Sequence, residues 1–298
     1  MSATLRDTKS VFERYEAVRP RLPVAARRTV TREVPSLLAV ADEVDAFVFD
    51  AFGVLNVGET PIPGAAARLD ALRQRGCAIR VLTNAASYQR DGAIAKFKRL
   101  GMRLEDDEII TSRDATLRVA GPRNWGIIAA SGDTLADIPG GGIVLHHDSV
   151  AYEQADAFLF LSTADWDAAR QEILESSLAR NPREVLIANA DLVAPRDYGF
   201  SLEPGFYGHQ IADRTKAPVR FFGKPFGDVF AMVEASLPGI AKDRIAMCGD
   251  SLHTDILGAV AAGWRSVLVT QDGLFAGSDV GAYAAASGIH ADWQVARI

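Results

Sequence analysis

Short apolar runs alternate with longer stretches of helical spacing from residue 45 almost to the end of the chain. The first run, DAFVFD at 45–50, is rich in Val and Phe and predicts a buried strand. A glycine-containing loop follows, then PGAAARLDALRQRG at 63–76, whose spacing, early proline and terminal glycine predict a helix. The rhythm repeats with a strand at CAIRVLTN (77–84), a helix at SYQRDGAIAKFKRLG (87–101), a strand at EIITS (108–112) and a helix from about Arg113. Such alternation predicts a parallel sheet covered on both faces.

The middle of the chain continues in the same way. Strands are predicted at WGIIAAS (125–131), IVLHHD (143–148), AFLFLST (157–163) and EVLIANADLV (184–193), with a helix at 166–181. IPGGGI at 138–143 reads as a turn, because no helix follows its glycines. A third block holds strands at 219–225, 244–250 and 265–270, helices at 226–239 and 254–263, and an Ala-rich helix at 281–288. That is too many α/β units for one sheet. The expected organisation is an arm over 1–44, a core domain over 45–120 and 204–298, and an inserted α/β domain over 121–203.

Bulk properties narrow the function classes. The chain has 298 residues, 48% hydrophobic and 23% charged, an ordinary globular composition with no run that resembles a membrane span. A formal charge of -6 speaks against a general nucleic-acid binder. The two cysteines, Cys77 and Cys248, lie far apart and are expected to be buried free thiols in a reducing cytoplasm. The arm is basic and has no continuous apolar segment of the secretory kind, so a short helix and linker packed on the domain surface is expected.

Four stretches fall at predicted strand ends: Asp50 in FVFDAFG, Thr83-Asn84 in VLTNAAS, Lys224 in FFGKP, and Asp250 with Asp255 in CGDSLHTD. Ligands bind at the carboxyl ends of strands in an open parallel sheet, so these residues can converge on one crevice. Singly, each has a plain structural explanation as a turn aspartate, a helix start or a solvated loop. Together they make a phosphate site. Asp50 and Asp250 are hard oxygen donors suited to Mg²⁺. Thr83 and nearby amides can donate to phosphoryl oxygens, and Lys224 can neutralise developing charge. Asp255 is expected to orient Lys224 or cap the following helix.

In this order the motifs resemble those of the haloacid dehalogenase (HAD) superfamily of aspartate-nucleophile hydrolases. The passages PIPGA (61–65), TNAAS (83–87), IITSRDAT (109–116), NADLVAP (189–195), GKP (223–225) and GDSLHTDILGAVAAG (249–263) are similar to signatures of its class IIA branch of sugar-phosphate and nucleotide phosphatases. The resemblance covers about residues 45–270. It implies a Rossmann-like parallel-sheet core with an inserted α/β cap, and a small phosphorylated metabolite as substrate. It further implies that Asp50 forms an aspartyl-phosphate and binds Mg²⁺ together with Asp250 and the Phe52 backbone carbonyl, supported by Asp255. Thr83, Asn84 and Lys224 would hold phosphate. Asp191 would face the core from the cap, and the cap would pair two copies in a homodimer.

One position departs from the pattern. Phosphatases of this superfamily usually carry an aspartate at Phe52, which protonates the departing alkoxide and then deprotonates the attacking water. Three readings follow. The first is a Mg²⁺-dependent phosphatase acting on a good leaving group, or with His253 or His209 as substitute proton carrier. The second is a hydrolytic 2-haloacid dehalogenase, since superfamily members that attack carbon place an aromatic residue there. The third is a capped module that binds a phosphorylated ligand without turnover. His146 and His147 are adjacent on a predicted strand and so face opposite ways, which disfavours a paired metal site.

Overall fold

The computed structural model describes residue 5 and residues 7–25, 30–196 and 199–298. Its larger sheet has seven strands, all parallel, in the order Arg32–Glu33, Trp293–Val295, Arg265–Val269, Ile245–Gly249, Ala46–Phe49, Ala78–Thr83 and Ile109–Thr111. The central strands are buried on both faces, as their unbroken apolar runs require. Phe47, Phe49, Ile79 and Val81 point into one core cluster. Ala46, Val48, Leu82 and Met247 point into the other. Strand periodicity alone produces this division.

A second parallel sheet has five strands, ordered Val219–Phe221, Val185–Ile187, Ala157–Phe160, Trp125–Ile128 and Gly142–Val144. The chain enters it at Trp125 and leaves it after Phe221. The return to the first sheet therefore falls after Phe221, not near residue 204 as the sequence suggested. The reason is pairing: Val219, Arg220 and Phe221 sit in parallel register with Val185, Leu186 and Ile187. The helix Pro204–Arg214, begun by a proline in its first turn, packs on this same strand pair, its His209 ring stacked on Phe221 at 4.3 Å. An antiparallel hairpin, Val193–Arg196 with Gly199–Leu202, projects from the insertion.

The arm is more than a surface linker. Its helix Thr8–Val18 is capped by the Asp7 side chain, which accepts from the Ser10 amide. Val11 and Tyr15 of this helix join a cluster with Leu252 and Ile256 of the core and Leu192 and Phe206 of the insertion. Arg32–Glu33 then adds an edge strand to the first sheet. Cys77 and Cys248 are buried and unpaired, as expected. Among the described residues no helix is long and apolar enough to cross a membrane.

Buried His209 yields a pH prediction. Burial, reinforced by Arg21 and Arg14, pulls its imidazole down to about 3 from an ordinary value of 6.5. The unfolded chain takes up that proton near 6.5, so the unfolded state binds more protons below this pH. The stability contributed by neutral His209 is complete above pH 6.5 and declines as pH falls toward 3. His209→Phe retains a ring for Phe221 and removes the titrating group. Urea midpoints of this variant should fall less steeply than wild type over that acid range; parallel curves would contradict the assignment.

Candidate active site

Asp50, Thr83, Asn84 and Asp250 sit where strands of the first sheet end, Lys224 follows the second-sheet strand Val219–Phe221, and Asp191 lies beyond the second-sheet strand Val185–Ile187. The Asp50 amide donates to the Cys248 carbonyl at 2.9 Å, the last ladder bond before the chain turns away. The turn needs glycine at Gly53, where φ is +79° and a Cβ would lie 2.5 Å from Asp250 Oδ2. Thr83 ends its strand and Asn84 follows. Asn84 acts as a hub: Nδ2 donates to Asp191 Oδ1 at 2.8 Å and to the Lys224 carbonyl at 2.9 Å, while Oδ1 accepts from the Lys224 amide at 2.7 Å. Gly223 permits that approach, since a Cβ there would lie 2.4 Å from Asn84 Oδ1.

Lys224 is 1% exposed, with Nζ 2.5 Å from Asp50 Oδ1 and 2.8 Å from Asp255 Oδ1. Asp250 Oδ2 accepts from the Leu274 amide at 2.7 Å, and Asp255 Oδ2 accepts from the Ser251 amide at 3.1 Å. Asp255 is carried by a single π-helical turn, Leu252–Ile256, that opens into the helix Leu257–Ala262. Such wide turns recur at functional sites.

Asp50, Asp191, Asp250 and Lys224 are all shifted by this buried, crowded setting. Burial raises Asp50 to about 6, against the pull of Lys224. Burial raises Asp250 and Asp191 well above the carboxylate range, with the neighbouring aspartates adding to it. Burial works against the charged form of Lys224, yet Asp255, Asp50 and Asp191 outweigh it and hold the ammonium above the ordinary lysine value.

The residues fit a divalent cation. Asp50, Asp250 and Asp255 each present an oxygen within 4.8 Å of the others. Gly53 and Gly273 keep the space around Asp250 clear, a Cβ on Gly273 falling 2.1 Å from Asp250 Oδ2. An all-oxygen, acidic donor set is that of Mg²⁺ or Ca²⁺.

Above these residues lies a cavity of about 960 Å³ between the two sheets, lined by Asp50, Thr83, Asn84, Asp191 and Asp250. Lys224 and Asp255 lie beneath its floor. Three further residues escaped the sequence reading. Tyr15 of the arm lines the cavity, as does Arg196 of the insertion hairpin. Lys96, 3% exposed, places Nζ 4.1 Å from the centre of the Phe52 ring, and the Arg196 guanidinium carbon lies 4.9 Å from the same ring. A signal for Lys96 existed: Ala93, Lys96 and Phe97 form one helical stripe, and a lysine on an apolar stripe is unusual. Burial pulls Lys96 down to about 8, while the nearby Glu59 carboxylate opposes the shift.

Neither histidine raised as a proton carrier lines the cavity. His253 is 1% exposed, its Nε2 sits 2.5 Å from Glu16 Oε1, and its ring stacks on Tyr15 at 4.9 Å. Burial pulls it down to about 4, so it is neutral at pH 7. His147 pairs with Asp167 at 3.1 Å on the exposed surface, whereas Tyr152 Oη donates to the His146 carbonyl at 2.7 Å.

A family model described as haloacid dehalogenase-like hydrolase matches residues 47–130, and a second, HAD-hydrolase-like, matches 221–292. Between them the two span both halves of the site. An acid sugar phosphatase of Staphylococcus aureus is 24% identical over 241 residues, covering 79% of this chain and 89% of the relative. Among solved structures, a possible sugar phosphatase of the HAD superfamily from Cytophaga hutchinsonii superposes with a TM-score of 0.78 at 22% identity, covering 89% of this chain and 98% of that one. A p-nitrophenyl phosphatase from Archaeoglobus fulgidus gives 0.70 at 19% identity, covering 86% and 97%. At these identities the structural likeness concerns the fold.

Proposed function

The chain belongs to the haloacid dehalogenase superfamily, and from that premise we propose that it is a metal-dependent phosphatase of a small phosphorylated metabolite. The observation that carries this reading is the buried Lys224, clamped between Asp50 and Asp255 at the foot of the cavity between the two sheets. Asp50 is the nucleophile. Its carboxylate forms a bond to phosphorus as the bond from phosphorus to the leaving oxygen breaks, and water then cleaves the aspartyl-phosphate. Lys224 orients Asp50 through Oδ1 and, with Thr83, Asn84 and nearby amides, neutralises charge on the phosphoryl oxygens. Asp50, Asp250 and the Phe52 carbonyl would hold Mg²⁺, with Asp255 in support, and the ion supplies charge neutralisation between nucleophile and phosphate when bound. The insertion, from Trp125 to Phe221, acts as the cap that excludes water and selects substrate, with Asp191 facing the core.

Phe52 bears on the leaving group. No acid stands at its position, but two cations, Lys96 and Arg196, flank its ring. Positive charge stabilises an oxyanion that departs without a proton, as from an acyl or aryl phosphate. Unpaired Cys77 and Cys248 fit a reducing compartment, and the cytoplasm is the proposed location. A homodimer through the cap belongs to the same reading.

Turnover of alkyl, aryl and acyl phosphates with and without Mg²⁺ tests the proposal. Wild type should prefer the aryl and acyl esters and lose activity to chelator. Phe52→Asp should raise alkyl ester turnover selectively, recovering part of the about 10²–10⁴ that a positioned acid supplies. Chloride release from a 2-haloacid in chelator, with no phosphatase activity, would instead establish the carbon-attacking chemistry.

A further inference from the structure

The phosphatase reading leaves the arm without a role, yet the arm is built into the cavity. Tyr15 is 3% exposed and its ring stacks flat on His253, at 4.9 Å with 5° between planes. Its hydroxyl accepts the Leu192 amide at 3.2 Å. No described residue accepts the hydroxyl hydrogen, and Tyr15 lines the same cavity as Asp50. Beside it, Asp191 commits Oδ1 to Asn84 at 2.8 Å, while its other oxygen has no donor among the described residues. A free O–H donor near an unengaged carboxyl oxygen matches a hydroxyl group, which both donates and accepts.

The arm is fastened on both sides of this point. On the core side, Thr8 Oγ1 donates to the Leu274 carbonyl at 2.9 Å and Glu16 meets His253 at 2.5 Å. On the insertion side, Arg14 and Arg21 grip Asp213 at 2.8 and 2.6 Å. The arm's ion pairs to Asp213 and its contact with His253 lie outside the cavity and leave the Tyr15 hydroxyl pre-positioned.

We propose that the arm completes the substrate site: Tyr15 donates a hydrogen bond to a hydroxyl on the organic part of the phosphorylated substrate, and the unengaged carboxyl oxygen of Asp191 pairs with the same hydroxyl. The substrate is then a phosphate whose organic part carries a hydroxyl, bound by three parts of the chain. This rests on the phosphatase reading and specifies its substrate.

Binding of two non-hydrolysable probes tests it without need of turnover: 2,3-dihydroxypropylphosphonate and propylphosphonate, titrated calorimetrically with Mg²⁺. Wild type should favour the hydroxylated probe. Tyr15→Phe, which preserves the ring stack, should weaken that probe about 3- to 10-fold and leave propylphosphonate unchanged. Arg14→Ala, which cuts an anchor outside the cavity, should keep the wild-type preference. Equal loss of both probes in Tyr15→Phe, or loss of the preference in Arg14→Ala as well, would mean that Tyr15 only shapes the arm, and would overturn the proposal alone. Failure of wild type to bind either probe would remove the phosphate site and the proposal with it.

Discussion

Lys224→Met should abolish turnover and lower the unfolding free energy at pH 7 by about 3–5 kcal/mol, the range for removing one partner from a buried ionic group. Lys224 is the cation that Asp50 and Asp255 share, at 2.5 and 2.8 Å, and it also pulls on Asp191 and Asp250. Without it these carboxylates repel one another in a poorly solvated pocket and must take up protons to remain folded. A carboxylate raised in the folded state binds more protons than in the unfolded chain, so its contribution to stability falls as pH rises through the folded value. In wild type that value is already about 6 for Asp50, despite the lysine. The loss caused by Lys224→Met should therefore be larger at pH 7 than at pH 5. Urea denaturation in chelator at both values reads this directly. A variant as stable as wild type at pH 7 would show that the aspartates do not depend on the lysine.

Asp50→Asn should behave in the opposite way toward the fold. Burial disfavours the charged form of Asp50, and Lys224 keeps Asp255 as a partner when Asp50 becomes neutral. Stability of the metal-free protein should stay level or rise. Turnover, by contrast, should fall by about 10⁴-fold or more, as when a covalent nucleophile is removed. Hydroxylamine trapping of the acyl-phosphate should succeed in wild type and fail in the variant. Turnover of the variant within tenfold of wild type would point to direct attack by water.

Much of the candidate site was legible because Asp50, Thr83, Asn84 and Asp250 obey a local rule: they stand at the ends of apolar strands, and strands announce themselves. Runs such as AFVF and IAMCG located them, and the first sheet is built from those runs, whereas Lys224 and Asp255 were found from the short motifs GKP and GDSLHTD. Where the insertion ends was not legible near residue 204, because a strand such as Val219–Phe221 looks the same whichever sheet it joins. Arg196 was hidden in the hairpin that carries it, since cross-strand pairing leaves little trace in so short a segment. Lys96 left a trace, a charge on a buried stripe, whose meaning depends on the Phe52 ring 44 residues earlier in the chain. Tyr15 left none: nothing within an amphipathic helix indicates which distant cavity it will face.

The arm's anchors have a consequence for the time order of folding. The Leu192 amide is 177 residues from Tyr15, Asp213 is 199 from Arg14, His253 is 237 from Glu16, and Leu274 is 266 from Thr8. Arg32–Glu33 pairs with Trp293–Val295, at the opposite end of the chain. These arm residues therefore meet their distant partners only once most of the intervening polypeptide has been made. Contacts of such long separation form late and slowly. The cavity acquires its third wall as one of the last events, so a chain that stops short folds its strands but never finishes the site.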